Sequence, residues 1–388
     1  MIELLAKKWI RDYESVQLPA VRTAYGTLCS AVGIVLNLLL CAGKLLAGVL
    51  SGSVAIVADA LNNLSDAGSS IVTLLGFKLA GKKPDADHPF GHGRMEYLSG
   101  LAVSMLILLM GFAMLKTSFQ KIRVPEPVVF SWISVGVLLA SIAVKFYMSW
   151  YNRRIGEKIN STAMLATAVD SLSDCISTAA VLVATVVGGF TPLNIDGYAG
   201  LVVACFILFA GYNAARDTIS PLLGQAPDEE LVHTIQSVVL EYPHIVGIHD
   251  LVVHDYGPGR LMVTLHAEVP AAMDILAIHD EVDNAEKELR RVLNCEATIH
   301  MDPIITTDPK VAAMREKVER LLKTIDPRVT IHDFRIVPGE SHTNVLFDAV
   351  LPVDVKLSES EAREEICHLV RTMEGNCFAV VEIDRAYV

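Results

Sequence analysis

Two short stretches in the first half of the chain place acids where acids are costly. Asn62-Asn63-Leu64-Ser65-Asp66 and Asp170-Ser171-Leu172-Ser173-Asp174 share one pattern: Asn or Asp, any residue, Leu, Ser, Asp. Each lies inside a long apolar run. In a helix, residues i and i+4 share a face. Asn62 with Asp66, and Asp170 with Asp174, would each offer two oxygens side by side. Facing each other, the two helices would present three carboxylates and one amide oxygen. An ionisable residue at membrane depth marks a functional site by default. Asp170 falls about 15 Å into its segment, near the bilayer midplane. Three carboxylates with no basic partner repel unless they are protonated or bind a cation. The predicted chemistry is therefore cation binding in competition with protons. The plain alternative is a polar helix–helix seam, since Ser and Asn often glue such bundles. Hard oxygen ligands favour Mn2+, Mg2+ or Ca2+ over Zn2+, which prefers imidazole and thiolate. The expected ion is Mn2+, with Fe2+ second. Asp59, one turn outward on nearly the same face, is an auxiliary candidate, as an entry ligand or a proton site.

A third constellation lies in the loop 84–94, PDADHPFGHGR. Asp85, His88 and His92 are spaced i, i+3, i+7, and two imidazoles with a carboxylate make a first shell for a divalent ion. Gly and Pro make the segment a turn, so the spacing alone does not force the three to converge. A pH-sensitive interfacial loop capping the third apolar helix is the alternative.

The elements that must carry these residues follow from hydropathy and charge. The chain has 388 residues, with 52% hydrophobic, 20% charged and a net charge of −12. Residues 1–220 hold 17 Lys+Arg and 14 Asp+Glu, whereas residues 221–388 hold 15 and 30. This excludes a purely soluble enzyme, a nucleic-acid binder built on a basic face, and a disordered chain. It predicts a membrane domain followed by an acidic, water-exposed one. Six segments suit a bilayer core of about 30 Å: 26–50, 54–80, 98–120, 128–152, 160–190 and 197–215. Lys82, Lys83 and Arg94 follow the second segment, and Arg153, Arg154 and Lys158 follow the fourth. The links after the first and fifth carry no Lys or Arg. By the positive-inside rule both termini are cytoplasmic, with Lys121 and Arg123 a mild exception. Lys145 reads as a snorkelling residue near that side. The matching acidic patterns are three helices apart, so they run in opposite directions, as in an inverted repeat. The N-terminal residues have no apolar run and do not make a signal peptide. Seven scattered cysteines with no C-x-x-C pair give neither a disulfide framework nor a zinc ribbon.

The second half reads as helix, strand, strand, helix, strand over 227–302, an α+β pattern with helices on one face of a small sheet. It then repeats. VTIHDFRI at 329–336 echoes VGIHDLVV at 246–253, VLFDAVLP at 345–352 echoes VTLHAEVP, and AVVEID at 379–384 echoes ATIHMD. The offset of 82–83 residues marks a tandem domain. The expected organisation is a polytopic α-helical membrane bundle of six transmembrane helices (1–220), then two tandem α+β ferredoxin-like cytoplasmic domains (221–305 and 306–388).

Together, the six spans, the paired positions 62/66 and 170/174 and the DHPFGHGR loop resemble the cation diffusion facilitator family, over about residues 25–302. The resemblance implies a homodimeric divalent-metal efflux transporter, not an enzyme. Zinc-type members carry Asp and His where this chain has Asn62 and Asp170. The combination here is similar to the manganese branch. The family's regulatory cytoplasmic site maps, residue by residue, onto His249, His266, His279, His300 and Asp302, a set that suits Zn2+ better than Mn2+. In the second repeat His332 and Asp384 survive, while Asp348 and Glu382 replace the equivalents of His266 and His300. That copy binds a harder ion or is a structural extension, and the extension is the expectation. The functional expectation is Mn2+ export by proton antiport with alternating access, from a multi-pass protein of the plasma membrane. Its partners would be lipid, cations, protons and a second copy, with no nucleic acid. A zinc or iron exporter of the same family, or a membrane-tethered metal sensor, are the alternatives. No P-loop is present to imply ATP drive.

Overall fold

The computed structural model describes residues 2–16, 18–51, 54–124, 131–191, 195–305 and 308–386, with Asp59 described in its backbone only. The chain divides into two units. One contains residues up to 225 together with the loop Asp255–Arg260, and the other contains 226–254 and the residues from 261 on.

The first unit begins with a short helix, α1 (Ile2–Trp9), followed by α2 (Pro19–Ser51), α3 (Val54–Ala80), α4 (Met95–Arg123), α5 (Trp132–Lys158), α6 (Thr162–Phe190) and α7 (Asp196–Leu223). Among the described residues α2, α4, α5, α6 and α7 are long and apolar enough to cross a membrane, with mean hydropathies of 1.6 to 2.3. The sixth expected span is α3, 27 residues long, which buries the polar residues Asn63, Asp66, Ser69, Ser70 and Thr73. The helical bundle expected from hydropathy is thus present. Helix α1 was not expected, because eight residues are too few to show in a hydropathy window. Its Ile2 and Ala6, with the following Ile10, pack against Tyr25, Tyr151 and Ile155.

Helices α2 and α3 pack mainly on each other, as do α4 with α7 and α5 with α6. Small residues permit the approach: a Cβ at Gly100 of α4 would sit 3.0 Å from the Ala163 Cα of α6. Pro221 in the last turn and Gly224 in the left-handed region, at φ 91°, end α7. Lys121 pairs with Asp196 at the first position of α7, at 2.6 Å. This neutralises the lysine that stood against the positive-inside pattern.

A buried ion pair ties three of these segments. Arg22 of α2 holds both oxygens of Glu96 in α4, donating to Oε1 at 2.8 Å, and also donates to the carbonyls of Ile159 at 2.6 Å and Asn160 at 2.7 Å. Ser161, the N-cap of α6, donates to Glu96 Oε1 at 2.6 Å. Removing one partner of a buried pair costs about 3–5 kcal/mol, whereas an exposed pair contributes about 0–1 kcal/mol. Glu96→Gln should therefore lower the melting temperature in detergent far more than Lys121→Ala. Equal shifts would show that the Arg22–Glu96 pair is not a structural tie.

The second unit holds two αββαβ modules, the ferredoxin-like order without its first strand. The first is α8 (Glu229–Val239), β1 (Gly247–Asp255), β2 (Leu261–Pro270), α9 (Ile275–Leu293) and β3 (Cys295–Ile304). The second is α10 (Pro309–Leu322), β4 (Thr330–Pro338), β5 (Thr343–Pro352), α11 (Glu359–Arg371) and β6 (Cys377–Ala386). Each sheet has its second strand in the middle, paired in parallel with the third. Local chemistry sets the helix starts. Asp228, Asp274, Asp308 and Ser358 cap α8, α9, α10 and α11, and Ser358 with Glu361 forms a full capping box. Alternate strand residues fill the cores, Val263, Leu265, Ala267 and Val269 in one and Val345, Phe347, Ala349 and Leu351 in the other. In both modules an aspartate in the first strand has positive φ: Asp250 at 50° and Asp333 at 54°. At the second of these the ladder with β5 slips between His332 and Arg335. Such a bulge re-aims neighbouring side chains, and in both modules the residue before the positive-φ aspartate is a histidine.

Candidate metal centres

Within the bundle, α3 supplies Asp66, α6 supplies Asp170 and Asp174, and α5 supplies Lys145. The Lys145 ammonium donates to Asp66 Oδ2 and Asp174 Oδ2, at 2.6 Å each. Lys145 is 2% exposed, Asp66 4% and Asp170 5%. Two sequence-based expectations are corrected here. Lys145 does not snorkel, because burial between two acids stabilises its charge better than reaching for an interface. The carboxylates therefore do have a basic partner. The structure joins Asp66 and Asp174 through that ammonium, while Asp170 is buried one turn before Asp174 on the same helix face. Asn62 is exposed, and its neighbour Asn63 is buried, accepting a hydrogen bond from Lys44 Nζ at 3.0 Å. Neither lysine was legible as a partner, because each lies on a helix other than the acid or amide it meets, far away in sequence.

The loop before α4 brings its three candidates together. Asp85 lies 3.6 Å from His88 Nδ1 and 3.4 Å from His92 Nε2, and the two rings are 4.6 Å apart. The His88 backbone N–H donates to Asp85 Oδ1 at 2.8 Å, which holds that carboxyl below the usual range. His92 is nearly buried, and its Nδ1 has no hydrogen-bond partner. Two glycines are required here by close approach. A Cβ on Gly91, whose φ is +80°, would overlap the Arg260 guanidinium, and one on Gly93 would lie 2.6 Å from the Tyr256 carbonyl. Arg260 donates to the carbonyls of Lys82 at 2.7 Å and Phe90 at 3.3 Å. Asp255, unassigned by sequence reasoning, accepts from the Tyr97 hydroxyl at 2.6 Å, and its backbone carbonyl accepts from Arg94 at 2.8 Å.

In the second unit His249 of β1 sits next to Asp250, whose φ is positive, and close to ligands on β2 and β3. His266 Nδ1 is 2.9 Å from Asp302 Oδ2, His249 Nε2 is 3.2 Å from the same oxygen, and His300 Nε2 is 3.3 Å from Asp302 Oδ1. Residue 266 is in register with 300, and 268 with 302. Three histidines thus surround one acid. His279 is exposed on α9 and belongs to none of the ligand groups found among the described residues. Sequence reasoning missed Asp250, whose Oδ2 is 3.3 Å from His249 Nδ1 and 3.9 Å from His266 Nδ1. The signal was there, since His-Asp occurs at 249–250 and again at 332–333. It also missed Glu268, buried at 5%, which accepts from the Asp333 backbone N–H at 3.3 Å and lies 3.7 Å from Arg315. That acid ties the first module to the second.

Apolar helices with acids buried among them, followed by αββαβ modules rich in imidazole and carboxylate, define a membrane transporter of metal cations. Comparison with known proteins agrees. Residues 30–223 match the cation efflux transmembrane domain, and residues 227–304 match the cation efflux protein cytoplasmic domain, a dimerisation module. An uncharacterised transporter of Methanocaldococcus jannaschii is 32% identical over 70% of this chain and 96% of its own length. Metal tolerance protein C1 of Arabidopsis thaliana is 28% identical over 86% of this chain and 79% of its own, and cation-efflux pump FieF of Yersinia enterocolitica is 28% identical over 65% and 84%. The chain belongs to the cation efflux family, the cation diffusion facilitators, whose members are divalent metal efflux transporters.

Proposed function

We propose that this protein exports Mn2+ across the plasma membrane in exchange for protons, as a homodimer with both termini in the cytoplasm. The observation that carries this reading is the buried group Asp66, Asp170, Asp174 and Lys145, in which every acid is a hard oxygen ligand. Both histidines of residues 1–220, His88 and His92, belong to the loop before α4, so the ligands within the bundle include no imidazole. Oxygen ligands favour Mn2+ over Zn2+.

Charge balance gives the coupling. Three carboxylates and one ammonium leave two negative charges in a low-dielectric place, which is costly unless protons or a divalent ion offset them. Before an ion arrives, Lys145 bridges Asp66 and Asp174, and protons offset the remaining negative charge. An arriving Mn2+ displaces the ammonium, takes carboxylate oxygens and releases protons. Its departure on the other side reverses each step. Asn62 and Asp59 serve as auxiliary ligands on the way in, and the Asp85–His88–His92 loop as a capture site. Residues 1–220 carry the transport, 221–305 sense metal and dimerise, and 306–388 extend that domain. Alternating access moves α3 and α6 against their neighbours.

Selectivity gives the test. Asp170→His introduces an imidazole, which stabilises Zn2+ more than Mn2+. Combined with Asn62→Asp it should raise the Zn2+/Mn2+ flux ratio of reconstituted vesicles at fixed pH, with the buried position contributing most. Fe2+ flux measured alongside completes the comparison. An unchanged ratio in a double variant that still transports would remove the support for manganese.

A further inference from the structure

The second αββαβ module was expected to be a structural extension, yet its sheet repeats the ligand geometry of the first. His332, Asp348 and Asp384 stand 82–83 residues after His249, His266 and Asp302. His332 on β4 is in register with Asp348 on β5, and Asp384 lies on the adjoining β6. His332 Nε2 is 3.5 Å from Asp384 Oδ2, and its Nδ1 is 3.8 Å from Asp348 Oδ2. One ligand atom from each of the three lies within 4.8 Å of the others. The acids alone would mean little, but His332 is 6% exposed, and both of its ring nitrogens are buried without a hydrogen-bond partner. An imidazole in that state bears an uncompensated desolvation cost. Metal bonds of about 2.0–2.2 Å set neighbouring ligand atoms roughly 3.0–3.5 Å apart. The observed separations are too long for good hydrogen bonds and need only a small contraction to meet that spacing. Among the described residues no Lys or Arg lies within ion-pair distance of Asp348 or Asp384.

The two modules also meet at this point. The His249 and His332 rings stack with centroids 4.0 Å apart, and His249 too has both nitrogens buried without a hydrogen-bond partner. Asp250, which approaches His249 and His266 through Oδ2, lies 3.9 Å from His332 Nε2 through Oδ1.

We propose that β4, β5 and β6 hold a second divalent-cation site, formed by His332, Asp348 and Asp384 and joined to the His249–His266–Asp302 site through Asp250. One imidazole with two or three carboxylates is a harder set than the imidazole-rich first site. It takes an oxygen-preferring ion such as Mn2+, while the first favours Zn2+. Binding at one site adds positive charge beside the shared acid and stacked ring, so occupancy of each changes the affinity of the other.

The test is hydrogen exchange on the full-length protein in detergent, treated with chelator and then given Mn2+ alone or Zn2+ alone. At a Mn2+ concentration a hundred times its Kd, amides of β4–β6 that exchange through opening of the module should slow by up to about 100-fold. Asp348→Asn with Asp384→Asn should abolish that slowing and lower bound Mn2+ by one ion per chain. His266→Ala should leave it in place while removing Zn2+ protection from β2 and β3. Unchanged exchange in β4–β6 of the wild-type protein with either metal overturns the proposal, whether or not the variants fold. Retained protection in the folded double variant overturns it as well. The readout is local to these strands, so the result is independent of which ion the membrane domain moves.

Discussion

Asp66→Ala and Asp174→Ala should each cut Mn2+ flux in reconstituted vesicles by about 100-fold or more, while the protein still inserts and dimerises. Both acids share the Lys145 ammonium, and in the proposed cycle both accept the ion that replaces it. Removing a partner from a buried charged pair costs about 3–5 kcal/mol, and each 1.4 kcal/mol is a factor of about ten. Because these carboxylates lie on different helices, α3 and α6, neither can substitute for the other as the helices move. Asp170→Ala should also fail, through loss of a ligand. Flux near the wild-type level from either of the first two variants would remove that residue from the transport path.

Replacing the lysine should have the opposite effect on binding. Lys145→Met leaves Asp66 and Asp174 without their counter-charge, and an entering divalent ion no longer has an ammonium to displace. Divalent-metal affinity of the purified protein, measured by calorimetry at fixed pH, should rise about tenfold or more. Turnover should fall, because the tethered charge that helps expel the ion is gone. The metal-free variant should also melt earlier than the metal-loaded one by a wider margin than in the wild type. Lys145→Arg keeps the charge but presents a planar fork in place of a compact ammonium, so its affinity should lie between the two. Metal affinity unchanged in Lys145→Met would mean that the ammonium does not compete for the site.

Much of this organisation is legible in the sequence because it is periodic. Apolar runs of membrane length locate α2 to α7, and alternation with a repeated His-Asp signal locates β1 and β4. The acids stand out since a charge inside an apolar run has few benign explanations. Their partners do not stand out. Lys145 is 79 residues from Asp66 and 29 from Asp174, and hydropathy alone treats a lysine near a helix end as snorkelling. Arg22 and Glu96 are likewise 74 residues apart. What the sequence leaves open is which helix faces meet, because that depends on packing of small residues such as Gly100 and on the register between helices. The convergence of Asp85, His88 and His92 was also open, since a Gly- and Pro-rich turn has no fixed period. The metal site proposed in the second module was not legible for a related reason. Substitution of Asp348 for a histidine looks like decay until the two unpartnered nitrogens of His332 are seen beside it.

The covalent joining of the two αββαβ modules has a consequence for how a cell would experience metal. β3 ends at Ile304 and α10 begins at Pro309, so very little chain separates the modules. A short tether of that kind fixes the effective concentration of one partner near the other in the millimolar range, whatever the number of protein copies in the membrane. Contact between His249 and His332 is then independent of expression level, unlike an equivalent contact between separate subunits, which weakens as the protein is diluted. With the metal sites proposed there, the threshold would therefore stay the same in a cell holding few copies and in one holding many.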